Sequence, residues 1–360
     1  MDRRDFMKST GAAAAVAALP WRGAHAADGW RTFEVVTRVE VLNPGGRTLA
    51  WVPLPLAEHT DWFRDLASRW SGNATEAGVE RDKKYGARVL VAEWRPGQSS
   101  PVIEVTNRFV TRDRAVDLRA APDSALKLTA AERAFHTAPT ELIPTDGIVR
   151  ETALEATRGA RTDIEKARAV YEWVVENTFR DPKTRGCGWG DVKSMLESGN
   201  LGGKCGDLNE MFVGLARAAG VPARDVYGVR VAPSKHGYKS LGAGTANISK
   251  AQHCRAEFFA EGYGWVPVDP ADVRKVVLEE PPGNLAIDDP KVVAARKRLF
   301  GSWEMNWLAY NTAHDLALPG SSGPRLPYLM YVNAESGGER RDQLDPDSVR
   351  YSITAREITA

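Results

Sequence analysis

Residues 252–270, QHCRAEFFAEGYGWVPVDP, admit few conformations. Two alternating runs flank a glycine-bearing turn, the pattern of an antiparallel hairpin. Side chains alternate across a strand, so register assigns every residue to a face and a one-residue slip inverts the assignment. Cys254, Ala256 and Phe258 make an apolar face of the first strand; His253, Arg255 and Glu257 make a polar one. A three-residue loop, Ala260-Glu261-Gly262, puts glycine where φ is positive and pairs residue 259 with 263. Counting back, 256 faces 266, 254 faces 268, and His253 stands opposite Asp269, with Cβ atoms about 4.5–5.5 Å apart. An imidazole N–H reaches a carboxylate across that gap. The hairpin thus offers a histidine oriented by an acid, with an inert surface His–Asp pair as the alternative. His253 and Cys254 point to opposite faces and make no dyad. Cys254 reads as a small core residue.

A partner for His253 must come from elsewhere, and residues 200–226, NLGGKCGDLNEMFVGLARAAGVPARDV, hold a candidate. Gly202, Gly203 and Gly206 permit close backbone approach around a cysteine at a helix start. Leu208, Met211, Phe212, Leu215 and Ala219 form one apolar face, and Gly220-Val221-Pro222 stops the helix. At its start, unpaired N–H groups and the macrodipole favour an anion and lower a thiol's pKa. Lys204 pushes the same way; Asp207 opposes. Asp207 with Glu210 can form a capping box, leaving Cys205 just ahead of the helix, but either placement keeps the sulfur at the positive end. The same N–H groups, Gly206 included, can hold an oxyanion. A buried structural cysteine is the plain alternative. Thiolate, sheet histidine and orienting carboxylate are the parts of a nucleophile–base–orienter triad. A separation of 48 residues leaves the distance from Cys205 to His253 open.

Gly203-Lys204-Cys205-Gly206-Asp207, the helix end Arg217-Ala218-Ala219-Gly220-Val221-Pro222-Ala223-Arg224, and His253 followed by Gly262-Tyr263-Gly264-Trp265-Val266-Pro267-Val268-Asp269-Pro270 resemble the bacterial transglutaminase-like superfamily. The likeness covers about 165 to 275. It implies a papain-like core, with Cys205 as nucleophile, His253 as base and acid, and Asp269 as orienter. It also implies acyl transfer through a thioester on peptide or carboxamide substrates, with hydrolysis favoured over transfer to an amine (a transglutaminase) and over a non-catalytic binding module. Many members carry an aromatic residue where this chain has Arg255, which shares the His253 face and is expected to alter the site entrance. Trp189, in the GCGWGD turn, is a candidate oxyanion donor, with packing as its alternative. Trp303, Trp307 and Tyr310 are expected in the core rather than lining a cleft.

Residues 28–135 are rich in short β-branched and aromatic alternating runs such as FEVVTRVEVL and ARVLVAEW, the pattern of an antiparallel β-sandwich. The fold class expected is therefore α+β: that sandwich, then a papain-like core over 140–275 in which a cysteine-bearing helix packs on an antiparallel sheet. Residues 149–178 read as helix, and 276–360 as an extension packing on the core. Residues 1–26, with Arg3-Arg4-Asp5-Phe6-Met7-Lys8, an apolar centre and Ala24-His25-Ala26, resemble a twin-arginine signal peptide. That route carries folded proteins, so the mature chain is expected in the periplasm from near Ala27, with no membrane anchor. The 48 Lys and Arg nearly balance the 47 Asp and Glu, which leaves no global footprint for nucleic acid. Three cysteines, with no CxxC or HExxH, call for no metal and no cofactor, although a zinc on Cys205 and His253 stays open as a rival. A Cys187–Cys254 bridge is also left open. The expected partner is a peptide or protein substrate.

Overall fold

The computed structural model describes residues 29–358; the signal peptide expected at 1–26 and the start near Ala27 lie outside them. The alternating runs after residue 30 become strands. Arg31–Val41, Val102–Thr111 and Phe63–Gly72 are neighbours in one antiparallel sheet, and Val349–Ile358 completes its edge against Arg31–Val41. A second sheet runs in the order Glu339–Arg340, Asn333–Ser336, Thr48–Pro53, Arg88–Trp94, Glu76–Arg81. Val39, Ile103, Val105 and Val349 of the first sheet meet Ala50, Val52, Leu90 and Trp94 of the second in one buried cluster. Alternation explains the contact, since every second residue of Arg31–Val41 turns inward. The fold class is as expected, a sandwich followed by a papain-like core. The last residues, expected on the core, divide their contacts: Trp307–Asn311 joins the core sheet, while 333–358 supply three strands of the sandwich. Exposed sheet edges favour such covering.

The single helical stretch expected over 149–178 is two helices, Gly147–Ala156 and Asp163–Asn177. Gly159 adopts φ +88° between them, and Thr162 opens the second helix in a reciprocal cap with Glu165. The core sheet runs Gly264–Val268, Arg255–Ala260, Ala223–Arg230, Trp307–Asn311. On it packs the helix Cys205–Ala218, with the Phe212 and Phe258 rings 6.5 Å apart. One buried face was expected of this helix, yet all 14 residues are buried. A helix enclosed on every side must satisfy its polar groups internally. Arg217 Nε donates to the Ala223 carbonyl at 2.9 Å, and the Tyr227 hydroxyl donates to Glu210 at 3.0 Å. The polar face of the hairpin is buried too: Glu257 lies between Arg114 and Arg224.

Candidate active site

Cys205 is the first residue of its helix, after Lys204 at the N-cap. The Asp207–Glu210 box does not form. Asp207 instead accepts the N–H groups of Lys204 at 2.9 Å and Gly190 at 3.0 Å, while Glu210 turns down to Tyr227. The thiol therefore sits at the positive end of the helix. The Gly206 N–H donates to the Cys187 carbonyl at 2.8 Å, and a Cβ on Gly206 would stand 2.7 Å from that oxygen. Glycine is required there, but its amide is occupied, so Gly206 is not the oxyanion donor expected. The Cys205 N–H, at the first helical position, has no intrahelical acceptor.

The hairpin register is Ala256↔Val268, Phe258↔Val266 and Ala260↔Gly264, two residues from the expected one. The loop is Glu261-Gly262-Tyr263; Gly262 at φ +82° and Gly264 at φ +73° let it close one residue later. A two-residue shift keeps every side chain on its face. Asp269 now stands across from Arg255 and diagonal to His253. It reaches the imidazole because it leaves strand geometry, with φ −154° and ψ 75°, to cap the helix Pro270–Glu279. Its Oδ1 accepts the Asp272 N–H at 3.0 Å, and its Oδ2 lies 2.8 Å from His253 Nε2. One carboxylate thus starts a helix and orients a ring.

His253 opens on the same cavity as Cys205 and lowers the pKa of its thiol. With Nε2 held by Asp269, Nδ1 is the ring nitrogen left for the sulfur. Cys187 and Cys254 reach the same sulfur. Residues 253 and 254 precede the paired strand Arg255–Ala260, so alternation does not separate them. All three cysteines are free and buried; the Cys187–Cys254 bridge does not form, and the Cys187 thiol donates to the Gln252 carbonyl at 3.4 Å.

Hydrogen bonds from Cys187 and Cys254, then from His253, hold the Cys205 thiol well below its usual value against the opposing effect of burial. For His253, burial and Arg230 oppose the charged form, but Asp272 and Asp269 outweigh them and raise its pKa. Burial, then the neighbouring Asp272 charge, pushes Asp269 up. Burial acts on Asp272 as well, yet Arg230 holds it far below the carboxylate range. Both shifts run in the direction that favours an imidazolium beside a thiolate.

Several residues the sequence reading passed over hold this arrangement. Asp272 lies 3.5 Å from His253 and pairs with Arg230 at 2.5 Å. Asn209, one turn after Cys205, donates to Asp269 at 3.2 Å and to the Cys254 carbonyl at 2.9 Å. Trp307 Nε1 donates to the His253 carbonyl at 2.9 Å. Spacing of i, i+4 from Cys205 and the helix-opening Asp-Pro-x-Asp were the signals for Asn209 and Asp272.

Other expectations are corrected. Arg255 does not stand at the entrance: it is buried behind Asp269, over the faces of Trp303 and Trp307, with its Nη1 on the Glu304 carbonyl at 2.9 Å. The Trp189 side chain is 66% exposed and neither packs in the core nor lines the cavity. Trp303, Trp307 and Tyr310 are buried in the core as expected. His253, Asp269 and Asp272 offer donor atoms within 4.8 Å of one another. They suit a cation poorly, because Arg230 already occupies Asp272 and Arg255 Nε approaches Asp269 to 3.7 Å.

Cys205 and His253 open on a cavity of about 640 Å³, within the range of small-ligand pockets. Its walls come from residues 180–187, 242–252 and 343–351, together with Lys204, Arg230, Lys275 and Tyr331.

Residues 150–270 match the family described as the transglutaminase-like superfamily, and residues 1–20 match the twin-arginine translocation pathway signal sequence. An uncharacterised protein of Haemophilus influenzae is 37% identical over 327 residues, 87% of each chain. A crystal structure from Cytophaga hutchinsonii, provisionally described as a cysteine protease, superposes with a TM-score of 0.51 at 14% identity, covering 91% of this chain and 99% of that one. The periplasmic domain of TgpA from Pseudomonas aeruginosa gives a TM-score of 0.34 at 15% identity, over 68% of this chain and 88% of its own. No helix among the described residues is long and apolar enough to cross a membrane.

Proposed function

This chain belongs to the transglutaminase-like superfamily and carries a twin-arginine export signal, and on that premise we propose that it is a periplasmic cysteine peptidase or amidase. The observation that carries the reading is that Cys205, at its helix start, opens on the same cavity as His253, whose Nε2 lies 2.8 Å from Asp269. The Cys205 thiolate attacks the carbonyl carbon of a peptide or side-chain amide, forming a C–S bond. The Cys205 N–H, at the first helical position, would donate to the developing oxyanion. The His253 imidazolium gives its proton to the departing amine as the C–N bond breaks, leaving a thioester. His253, now neutral, takes a proton from water as the water attacks, and the C–S bond breaks to release a carboxylic acid. Asp269 keeps the ring in the tautomer and angle both steps need. An amine in place of water would give a transamidation product.

The test is to incubate the purified protein with a peptide library, quench with acid, and look for an acyl group on Cys205 by mass spectrometry, with and without an added primary amine. A Cys205 thioester that resolves to acids supports the peptidase, and one that resolves to amides supports the transglutaminase. Alkylation of Cys205 by iodoacetamide near pH 6 no faster than that of a free thiol supports a non-catalytic binding module instead. Retained turnover in Cys205→Ser rejects the nucleophile.

A further inference from the structure

The chain as a whole is nearly neutral, at a formal net charge of +1, but the cavity beside Cys205 is not. Arg180, Arg185, Lys204, Arg230, Lys250, Lys275 and Arg350 line it, and no Asp or Glu does. Their compensation comes from behind the walls and is incomplete. Glu279 serves both Arg180 and Lys275, the latter at 3.7 Å; Asp272 serves Arg230 at 2.5 Å; Asp342 serves Arg185 at 2.6 Å; Glu40 serves Arg350 at 3.7 Å. Lys204 and Lys250 have no ion pair with any described residue. Four carboxylates thus answer seven cations.

A half-buried cation without full compensation is costly, and a low-dielectric wall focuses its field into the cavity. Lys275 registers that cost: burial, and then the Arg230 guanidinium, push its ammonium below its usual value despite Asp272 and Glu279. Arg185, Lys250 and Arg350 are not needed to hold the fold together, since they are exposed side chains on three separate segments.

We propose that the substrate is an anionic peptide, one with free carboxylates flanking the amide that Cys205 attacks, and that this cationic cavity selects it. The inference rests on the peptidase reading above. Guanidinium and ammonium groups pair carboxylates well, and several around one cavity favour more than one acid on the ligand. Acidic segments of proteins and the carboxylate-rich stem peptides of a cell wall share this chemistry.

The test separates the two ideas by alkylating Cys205 with neutral iodoacetamide and anionic iodoacetate. The ratio of iodoacetate to iodoacetamide rates, normalised to glutathione, should be raised about tenfold or more at low salt. It should fall towards one at about 0.5 M salt, where charges are screened within a few ångströms. Lys250→Glu with Arg350→Glu should lower the ratio several-fold, and an unchanged ratio overturns the proposal. Fast iodoacetamide labelling with a glutathione-like ratio overturns the anionic substrate and spares the peptidase; slow labelling by iodoacetamide overturns the peptidase. Binding to the Cys205→Ser protein gives a second, turnover-free measurement. An Asp- and Glu-containing hexapeptide should bind at least tenfold more tightly than its Asn and Gln counterpart, and equal binding overturns the proposal. Parallel titration with all-L acidic peptides and with purified stem peptides containing D-residues tells which source the cavity prefers.

Discussion

Two parts of one site differ in how their charges are met. Around His253, Asp269 holds the ring and takes a hydrogen bond from Asn209, while Asp272 holds Arg230. At the mouth of the same cavity, Lys204 and Lys250 hold nothing, and Glu279 is shared between two cations. A saturated network fixes geometry, because each group has one low-energy position. An unsaturated one keeps its interaction energy for something that arrives. The inner part is built to position, the outer to receive.

The largest effects should follow from breaking the inner part. Cys205→Ser should abolish thioester formation, with a loss of about 10⁴-fold or more in kcat/KM, while leaving the thermal unfolding midpoint within a few degrees. Retained turnover would contradict it. Asp269→Asn comes next: an amide still caps the helix, but it upsets the His253 tautomer. A loss of about 10³–10⁴ in kcat against less than about 1 kcal/mol of stability is expected, and comparable losses in both would make Asp269 merely structural.

Asp272→Asn should reverse that split. Stranding Arg230 in the interior costs about 3–5 kcal/mol of stability, measured by urea denaturation. Its acid dependence carries a sign. Asp272 is depressed in the folded state, so its contribution is complete above about pH 4 and is lost as the pH falls towards the folded value. The variant should lack that part of the acid destabilisation. Smaller still is the pH shift of reactivity. Cys205 is lowered and His253 raised, so alkylation at pH 6 should outrun a free thiol about tenfold or more, and turnover should fall as His253 loses its proton above its ordinary value near 6.5. Alkylation that tracks an ordinary thiol titration near 8.5 would erase the distinction.

Much of the inner part was legible in the sequence because local rules specify it. Alternation kept the hairpin's faces even with the register two residues out, since two is the period of a strand, while the contact of Asp269 with His253 comes from the helix cap that Asp269 makes. Glycines flanking Cys205 marked a tight approach, and Gly206 makes one. Asn209 and Asp272 were within reach of the same rules. Arg255 was misread because a polar residue on a strand looks like an entrance until the tryptophans that cover it are in place. The outer part was not legible: its cations come from segments around 180, 204, 230, 250, 275 and 350, and only the closed fold gathers them. A near-zero total charge hid the gathering.

The strand Val349–Ile358 pairs along Arg31–Val41, with Val41 beside Val349 and Thr32 beside Ile358. The first strand described thus waits for residue 358 to leave the ribosome, and closing a loop of more than 300 residues is slow relative to local pairing. Vectorial folding from the N-terminus cannot finish the sandwich, nor can it raise the cavity wall that residues 343–351 provide. A polypeptide cut before residue 343 would lose an edge strand and a side of its reaction chamber together. Emergence of the whole chain before completion suits a translocation route that moves finished molecules, and it links the order of synthesis to the moment the thiol first becomes enclosed.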